Sequence, residues 1–176
     1  DTSISLVTLI DSKKQVFKSR QGTDLKETSR DIAFCAHAIN TPKKSLIVND
    51  ASLDERFKEN PLVTEDPKIA FYAGIPLMSK EGYALGTLCV FDHKPKVLST
   101  SQIQALKSLA KFVEHLFESH KKSLELEKVY SQLEAQKNQT EEIAYAIAHD
   151  LKNPLDSIQG FLELLQRETG TSLGEE

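Results

Sequence analysis

The segment "IAFYAGIPLMSKEGYALGTLCVFDH", residues 69–93, contains two apolar runs separated by a short polar stretch. Both runs are rich in β-branched and aromatic residues, which favour strands. The intervening "KEG" ends in Gly82, which can adopt the positive φ that tight hairpin turns require. The segment therefore predicts an antiparallel β-hairpin, and the elements around it decide which fold the hairpin belongs to.

Two strands and a helix are predicted before this hairpin. The stretches "ISLVTLI" (Ile4–Ile10) and "QVFKSR" (Gln15–Arg20) have strand-like composition, and the turn-like "DSKK" joins them into a first hairpin. In "TSRDIAFCAHAI", residues 28–39, apolar side chains recur at helical spacing. Thr28 or Ser29 can cap the first turn. These residues are therefore predicted to form a short amphipathic helix.

The remaining segment before residue 69 predicts one more strand and a long loop. "SLIVND", residues 45–50, reads as a strand, and "ASLDERFKENPLVTEDPK", residues 51–68, is polar and contains two prolines. Loops of this length are uncommon unless they have a function. The order strand, strand, helix, strand, loop, strand, strand predicts an α+β domain built on an antiparallel sheet with flanking helices.

The C-terminal part of the chain predicts one long helix from about Gln102 to Arg167, with Ser99 or Ser101 as its cap. A first apolar stripe contains Leu106, Leu109, Val113 and Leu116, and continues at Ala110 and Phe117. A second stripe has the alternating steps of three and four that are typical of a coiled coil. Its members are Leu126, Tyr130, Leu133, Lys137, Thr140, Ala144, Ile147, Leu151, Pro154, Ile158, Phe161 and Leu165. The step of six from His120 to Leu126 indicates a phase break between the stripes.

Composition excludes several classes of protein. The net charge of −4 is mixed along the chain, so no basic face for nucleic acid is expected. No uncharged apolar run approaches the roughly 18 residues of a membrane span, and the N-terminus has no signal-peptide pattern. We therefore expect a cytoplasmic protein. Cys35 and Cys89 lie in apolar stretches and are predicted to be core residues.

The stretch "AIAHDLKNPLDSIQGF", residues 146–161, places a proline inside the predicted long helix. Pro154 removes the hydrogen bond to the carbonyl of Asp150, at a cost of roughly 3 kcal/mol in a helix interior. His149 lies two residues from Ile147 and Leu151, on the side of the helix away from the seam. A neutral imidazole there is a good nucleophile towards a phosphoryl group, and the adjacent carboxylate can orient it. Asn153 shares the histidine's face one turn further on.

These residues resemble the phosphoacceptor helix, or H-box, of sensor histidine kinases, in which histidine, an acidic residue, Leu, any residue, Asn or Thr, Pro and Leu follow one another. By this resemblance His149 accepts phosphate from ATP, and Asp150 acts as the acid/base. Asn153 would position water for the phosphatase reaction, and Pro154 would bend the helix. The resemblance further implies a homodimer through the C-terminal helix and the receiver domain of a response regulator as partner.

The N-terminal residues resemble the GAF sensory domains through "FCAHAI", "DERFKENPLV", "IAFYAGIPL" and "GYALGTLCVFD". The two resemblances divide the chain into a GAF domain (1–117), a coiled-coil signalling helix (118–142), the first helix of a dimerisation and histidine phosphotransfer domain (143–168) and the start of a hairpin loop (169–176). The sequence has no glycine-rich phosphate-binding loop. ATP and Mg²⁺ are therefore expected only with a catalytic domain outside these residues, and we expect the chain to be part of a longer kinase.

The GAF resemblance implies a small-molecule pocket between the sheet and the long loop. Its candidate lining residues are Phe34, Asp50, Phe57, Phe71, Tyr72 and Thr87. Bilin attachment at Cys35 is disfavoured because this cysteine lies in a sequence common to GAF domains generally. No metal site is expected, since Cys35 and His37 are two residues apart on a helix and point to nearly opposite faces. Two alternatives are a GAF ligand-binding or dimerisation module with a coiled coil and no phosphotransfer, and a cyclic-nucleotide-binding GAF domain with another output.

Overall fold

The computed structural model describes residues 2–42 and 44–169, which contain one six-stranded sheet. The strands lie in the order β3-β2-β1-β6-β5-β4, and every neighbouring pair is antiparallel. Their bounds are Ile4–Ile10 (β1), Lys14–Gln21 (β2), Glu27–Ser29 (β3), Leu46–Val48 (β4), Phe71–Met78 (β5) and Ala84–Asp92 (β6). Three α-helices accompany them in the described residues, Phe34–Ile39 (α1), Pro61–Thr64 (α2) and Thr100–Thr169 (α3). The predicted α+β class is confirmed.

The predicted hairpin of residues 69–93 is confirmed as β5 and β6. Phe71 pairs with Asp92 at one end, and Met78 pairs with Ala84 at the other. In the turn the Ser79 amide donates to the carbonyl of Tyr83 over 2.8 Å, and Gly82 has the expected positive φ of 87°. The strand β6 also pairs along its length with β1, so this hairpin lies beside the first strand in the sheet.

The predicted helix over residues 28–39 is shorter and divided. Glu27–Ser29 pairs with β2 as strand β3, and a 3₁₀ turn covers Arg30–Ile32. The Ser29 hydroxyl accepts from the Asp31 amide and caps this turn, whereas Ala33 is extended (φ −78°, ψ 120°) and separates it from α1. Pairing of Glu27–Ser29 with a neighbouring strand outweighs the local helical pattern, which could not reveal a partner distant in the chain.

The predicted long loop is anchored to the domain near its end. Asn60 caps α2 by accepting from the Leu62 amide over 2.9 Å, and Pro61 occupies the first helical turn, where a missing N–H has no cost. The Asn60 amide nitrogen also donates to the carbonyl of Ile32 over 2.9 Å. These contacts hold the loop against the face of the sheet that α1 covers.

Each face of the sheet carries its own core cluster. On one face, α1 and the long loop cover aromatic and aliphatic side chains that include Phe34, Phe57, Tyr72 and Phe91. On the other face, Ile75 and Leu77 of β5 pack with Ala110 and the partly buried Leu106, Val113 and Phe117 of α3. The sheet is therefore buried on both faces within the first of two compact units, residues 1–121 and 122–176.

The two outer strands of the sheet are its shortest. Each has three residues, Glu27–Ser29 in β3 and Leu46–Val48 in β4, against seven to nine in the four inner strands. A strand at a sheet edge exposes unpaired backbone groups, and its length sets how many of them are available to another chain. β3 and β4 themselves are therefore poor templates for further strands.

Helix α3 begins where the sequence predicts. The Ser99 hydroxyl accepts from the Gln102 amide, and the Gln102 side chain accepts in return from the Ser99 amide over 2.8 Å. This reciprocal pair is a capping box, which satisfies two amides that have no partner within the helix. Among the described helices, none combines the length and hydropathy that a bilayer crossing requires.

The first apolar stripe of α3 divides into two faces. Leu106, Ala110, Val113 and Phe117 pack against the sheet, whereas Leu109, Phe112 and Leu116 are more than half exposed. The prediction of one stripe was therefore wrong. Counted from the exposed side chains, steps of three and four run through 109, 112, 116, 119, 123 and 126 into the second stripe. With these positions the seam continues from the first stripe to the second without a phase break. Ser119 and Ser123 make the seam polar for one heptad.

Asp92, at the end of β6, predicts a pH-dependent contribution to stability. Its carboxylate accepts from Lys96 Nζ over 2.5 Å and from the Ser3 hydroxyl over 3.1 Å. The hydrogen bond from Lys96 is the main reason that the pKa of Asp92 falls from its ordinary value of 3.8 to about 2, against the opposing effect of burial. A lowered pKa in the folded state stabilises it above about pH 4, and this stabilisation is lost as the pH falls towards 2.

We expect Asp92→Asn to lower the free energy of unfolding by about 1–2 kcal/mol at pH 7, after allowing for solvent screening at the partly exposed Lys96. Urea unfolding at pH 7 and at pH 2.5 measures the difference, which should shrink at the lower pH. Asp24→Asn, on an exposed side chain, is the control and should change little. An equal deficit at both pH values would contradict the ion-pair origin.

Candidate functional sites

His149 and Asp150 are neighbouring exposed side chains on α3. Their exposed fractions are 64% and 82%, and His149 Nδ1 lies 3.3 Å from Asp150 Oδ1. In the tautomer that carries its proton on Nδ1, the imidazole donates to this carboxylate and leaves Nε2 unprotonated. The pair therefore presents a nucleophilic nitrogen to solvent with an orienting carboxylate behind it.

The helix continues through Pro154 in the described residues. Because proline has no N–H, the Asp150 carbonyl receives no α-helical hydrogen bond from this position. One residue before the proline, the carbonyl of Asn153 accepts from the Ser157 hydroxyl over 2.9 Å. The Asn153 side chain is exposed, as are those of the preceding turn. The bend at Pro154 stays a prediction.

The apolar side chains that flank this site are exposed in the described part of the chain. Ile147, Leu151 and Ile158 of the predicted seam are all more than half exposed. Helical geometry puts His149 about 200° around the helix from Ile147, so contact along the seam would leave the imidazole accessible. Exposed apolar rows of such length are unusual on a monomer.

A cavity of about 50 Å³ lies between the sheet and the segments around α1 and α2. Its wall is mostly apolar and contains side chains from β1, β2, β6 and the long loop. The apolar members include Ile4, Leu6, Phe17, Phe34, Leu62, Ile69 and Phe91, and the polar ones are Gln15, Thr23 and Thr28. The described residues that line the cavity are all uncharged, so it favours a neutral occupant.

Comparison with known families assigns the fold that surrounds this cavity. The family profile described as the GAF domain matches residues 3–116. The chain belongs to the GAF family. A second profile, the His Kinase A (phospho-acceptor) domain, matches residues 139–176, and this range contains the His149–Asp150 pair. The chain is thus a GAF domain followed by a His Kinase A phosphoacceptor domain, as its sequence predicts.

Among curated proteins, the cyclic di-GMP phosphodiesterase PA2567 of Pseudomonas aeruginosa is 42% identical over 113 residues. That match covers 64% of this chain, but the chain spans only 19% of the length of the phosphodiesterase. Its enzymatic activity therefore gives no information about the output of this GAF protein.

Solved structures agree with the GAF fold. The free methionine-R-sulfoxide reductase of Neisseria meningitidis superposes with a TM-score of 0.57 at 18% identity, over 69% of this chain and 71% of that one. The GAF domain of an Acinetobacter phosphoenolpyruvate-protein phosphotransferase gives 0.52 at 15% identity, over 67% and 72%. At these identities the likeness concerns the fold alone.

The structure brings together only part of the ligand set predicted for the GAF domain. Phe34 lines the cavity, and it stacks on Phe57 with ring centroids 4.2 Å apart. Tyr72 packs 5.2 Å from Phe34 in the same core. Phe57 and Tyr72 are fully buried but do not line the cavity, so they act as packing groups behind its wall.

The other three predicted residues lie elsewhere in the GAF domain. Phe71 precedes Tyr72 on β5 and therefore points to the opposite face of the sheet. Thr87 is buried, with its hydroxyl 3.1 Å from that of Thr8. Asp50 accepts from the amide and the hydroxyl of Ser52 and so stabilises the start of the long loop. The four predicted aromatic residues are all buried, but of these only Phe34 lines the cavity.

The predicted core positions of Cys35 and Cys89 are confirmed. Both are fully buried, with their sulfur atoms 3.5 Å apart, and the Tyr72 hydroxyl donates to Cys35 Sγ over 3.4 Å. Burial raises the pKa of Cys89 well above its ordinary value. At Cys35, burial also acts to raise the pKa, but hydrogen bonds from Cys89, Thr87 and Tyr72 outweigh it and lower the pKa to about 7.

Sequence reasoning did not single out Gln15, which the structure places in the cavity wall. Gln15 is 3% exposed and shares the core-facing side of β2 with Phe17. The alternation of side chains along a strand could have indicated this position. Gln15 is two residues from Phe17, so the two side chains point to the same face of the sheet. The sequence alone does not show whether Val16 or Phe17 faces the core; the structure shows that Phe17 is the buried one.

Proposed function

We propose that this chain is the sensory and phosphoacceptor portion of a two-component sensor histidine kinase. The GAF domain receives a signal, α3 transmits it, and His149 carries a phosphoryl group to the receiver domain of a response regulator. The observation that carries the proposal is the exposed His149–Asp150 pair within the residues that match the His Kinase A phosphoacceptor domain.

The proposed reaction uses His149 as the nucleophile. Nε2 attacks the γ-phosphorus of ATP, so a P–N bond forms while the bond to the leaving ADP oxygen breaks. The imidazole becomes cationic, and its Nδ1 proton is shared with the carboxylate of Asp150, 3.3 Å away. Transfer to an aspartate of the receiver domain then breaks the P–N bond and restores the neutral ring.

Asn153 and Pro154 have supporting roles in this proposal. Asn153, four residues beyond His149, lies one helical turn away on the same face and positions the water that hydrolyses the phosphorylated receiver. Pro154 leaves the Asp150 carbonyl without its helical partner and so allows α3 to bend beside the reacting group. The bend gives the helix a place to respond to the GAF domain.

The proposed active species is a parallel homodimer through α3. The exposed apolar residues at steps of three and four provide a coiled-coil seam on each copy. ATP and Mg²⁺ come with a nucleotide-binding catalytic domain that residues 1–176 do not contain. Because the reaction uses ATP and a receiver domain, we place the protein in the cytoplasm.

The experiment is phosphorylation of the full chain by a separately supplied histidine-kinase catalytic domain and radiolabelled ATP. Phosphohistidine is expected, recognised by a label that is stable in alkali and lost in acid, together with transfer to a receiver domain. Absence of label, or an acid-stable label, would leave the alternative of a GAF ligand-binding or dimerisation module without phosphotransfer. The apolar cavity is the feature that favours this alternative, and cyclic-nucleotide binding fits it less well because the cavity is small and uncharged.

A further inference from the structure

We infer that the cavity beside β2 binds a small, neutral, mostly apolar molecule that donates one hydrogen bond to Gln15. A short-chain alcohol is the simplest member of this class. The signalling role of such a ligand rests on the proposed function, whereas binding itself does not.

Gln15 is the observation that points to a ligand. Its side chain is 97% buried, and in the described part of the chain its Oε1 is a buried oxygen with no hydrogen-bond partner. Buried carbonyl oxygens in folded proteins are almost always paired, because an unpaired one has lost its hydration without replacement. A donor brought into the cavity supplies the missing partner.

Gln15 forms part of one wall of an apolar space. It lies on β2 in the same orientation as Phe17, with Ile4 of β1 and Phe34 of α1 also lining the cavity. Near the same wall, Leu25 is 51% exposed, although most lining side chains are buried. We place the entrance at Leu25, since an apolar side chain at a cavity mouth can admit a ligand and then cover it.

Size and charge define the ligand class. A cavity of about 50 Å³ has room for a molecule of a few non-hydrogen atoms. No lining side chain among the described residues carries a charge that could pair with a phosphate or carboxylate. Nucleotides and ionised metabolites are therefore disfavoured, and a small alcohol or amide fits.

The test compares 1-butanol with diethyl ether, which have the same atoms but differ because the ether cannot donate a hydrogen bond. The full chain, without ATP or any kinase domain, is titrated with each compound while the methyl NMR signals of Leu6 and Ile69 are followed. We expect saturable shifts, with the alcohol binding about tenfold more tightly than the ether. Gln15→Met, similar in length but without the amide, should reduce this preference to less than about twofold.

Gln21→Met is the matched control, because Gln21 lies on the same strand but is exposed. It should keep the preference of the unsubstituted chain for the alcohol.

Gln15→Met should also raise the midpoint of thermal unfolding by about 4 °C, since it removes the unpaired oxygen, and Gln21→Met should not. Equal binding of alcohol and ether, or no saturable shift with either, would overturn the site and leave water as its occupant. A lower midpoint for Gln15→Met would overturn it as well. None of these results depends on phosphorylation of His149, so failure here is distinct from failure of the proposed function.

Discussion

Replacing His149 by glutamine should reduce phosphorylation of the chain to background when a catalytic domain and ATP are supplied. Glutamine keeps a polar side chain of similar size on the helix but has no nitrogen basic enough to attack phosphorus. Because the side chain of His149 is 64% exposed, the substitution should leave folding intact. The measurement is alkali-stable label per chain, with circular dichroism to compare helix content.

Two further variants test whether loss of label is specific to His149 and whether the carboxylate of Asp150 contributes to the reaction. His120→Gln changes another exposed histidine on α3 and should leave the label unchanged. Asp150→Asn keeps the size of the side chain but removes the carboxylate, and should slow labelling by about 10²–10⁴-fold. Labelling of His149→Gln at the rate of the unsubstituted chain would refute the assignment of the phosphoacceptor.

The second large effect concerns the seam of α3. Leu133→Asp should convert the proposed dimer into monomers at micromolar concentration, raising the dissociation constant by roughly a hundredfold or more. Leu133 is 61% exposed in the single chain, so it contributes little to the fold of one copy. In a parallel dimer the two leucines would face each other, and the substitution would replace that contact with two like charges.

Ala135→Asp introduces the same charge two residues further on, outside the seam, at an exposed position. It should leave the dimer intact. Sedimentation equilibrium over a concentration series distinguishes the two variants. A monomeric unsubstituted chain at high concentration, or equal weakening by both substitutions, would show that α3 does not associate in the proposed way.

The elements that the sequence predicted well are those whose signals are local. The hairpin of β5 and β6 depends on two strand-like runs and Gly82, and the start of α3 depends on Ser99 and Gln102. Both signals lie within a few residues of the structure that they determine. The three-residue β3 was not predicted because its formation depends on pairing with β2, which no local pattern of residues 27–29 contains.

The two candidate sites also differ in how far local sequence determines them. His149, Asp150, Asn153 and Pro154 fall within one short helical segment, so spacing alone places the first three relative to one another. The cavity instead combines β1, β2, β6 and the long loop, so its wall depends on tertiary packing. Sequence reasoning therefore included Phe57 and Tyr72, which fill the core behind the wall, and passed over Gln15.

The short edge strands β3 and β4 have a consequence for solubility. Dimerisation through α3 would tether two GAF domains and give each sheet a high local concentration of its twin. Long, flat edge strands at such a concentration would favour the addition of further strands and the formation of fibrous aggregates. Because β3 and β4 have only three residues each, either strand by itself offers few backbone groups for such strand addition.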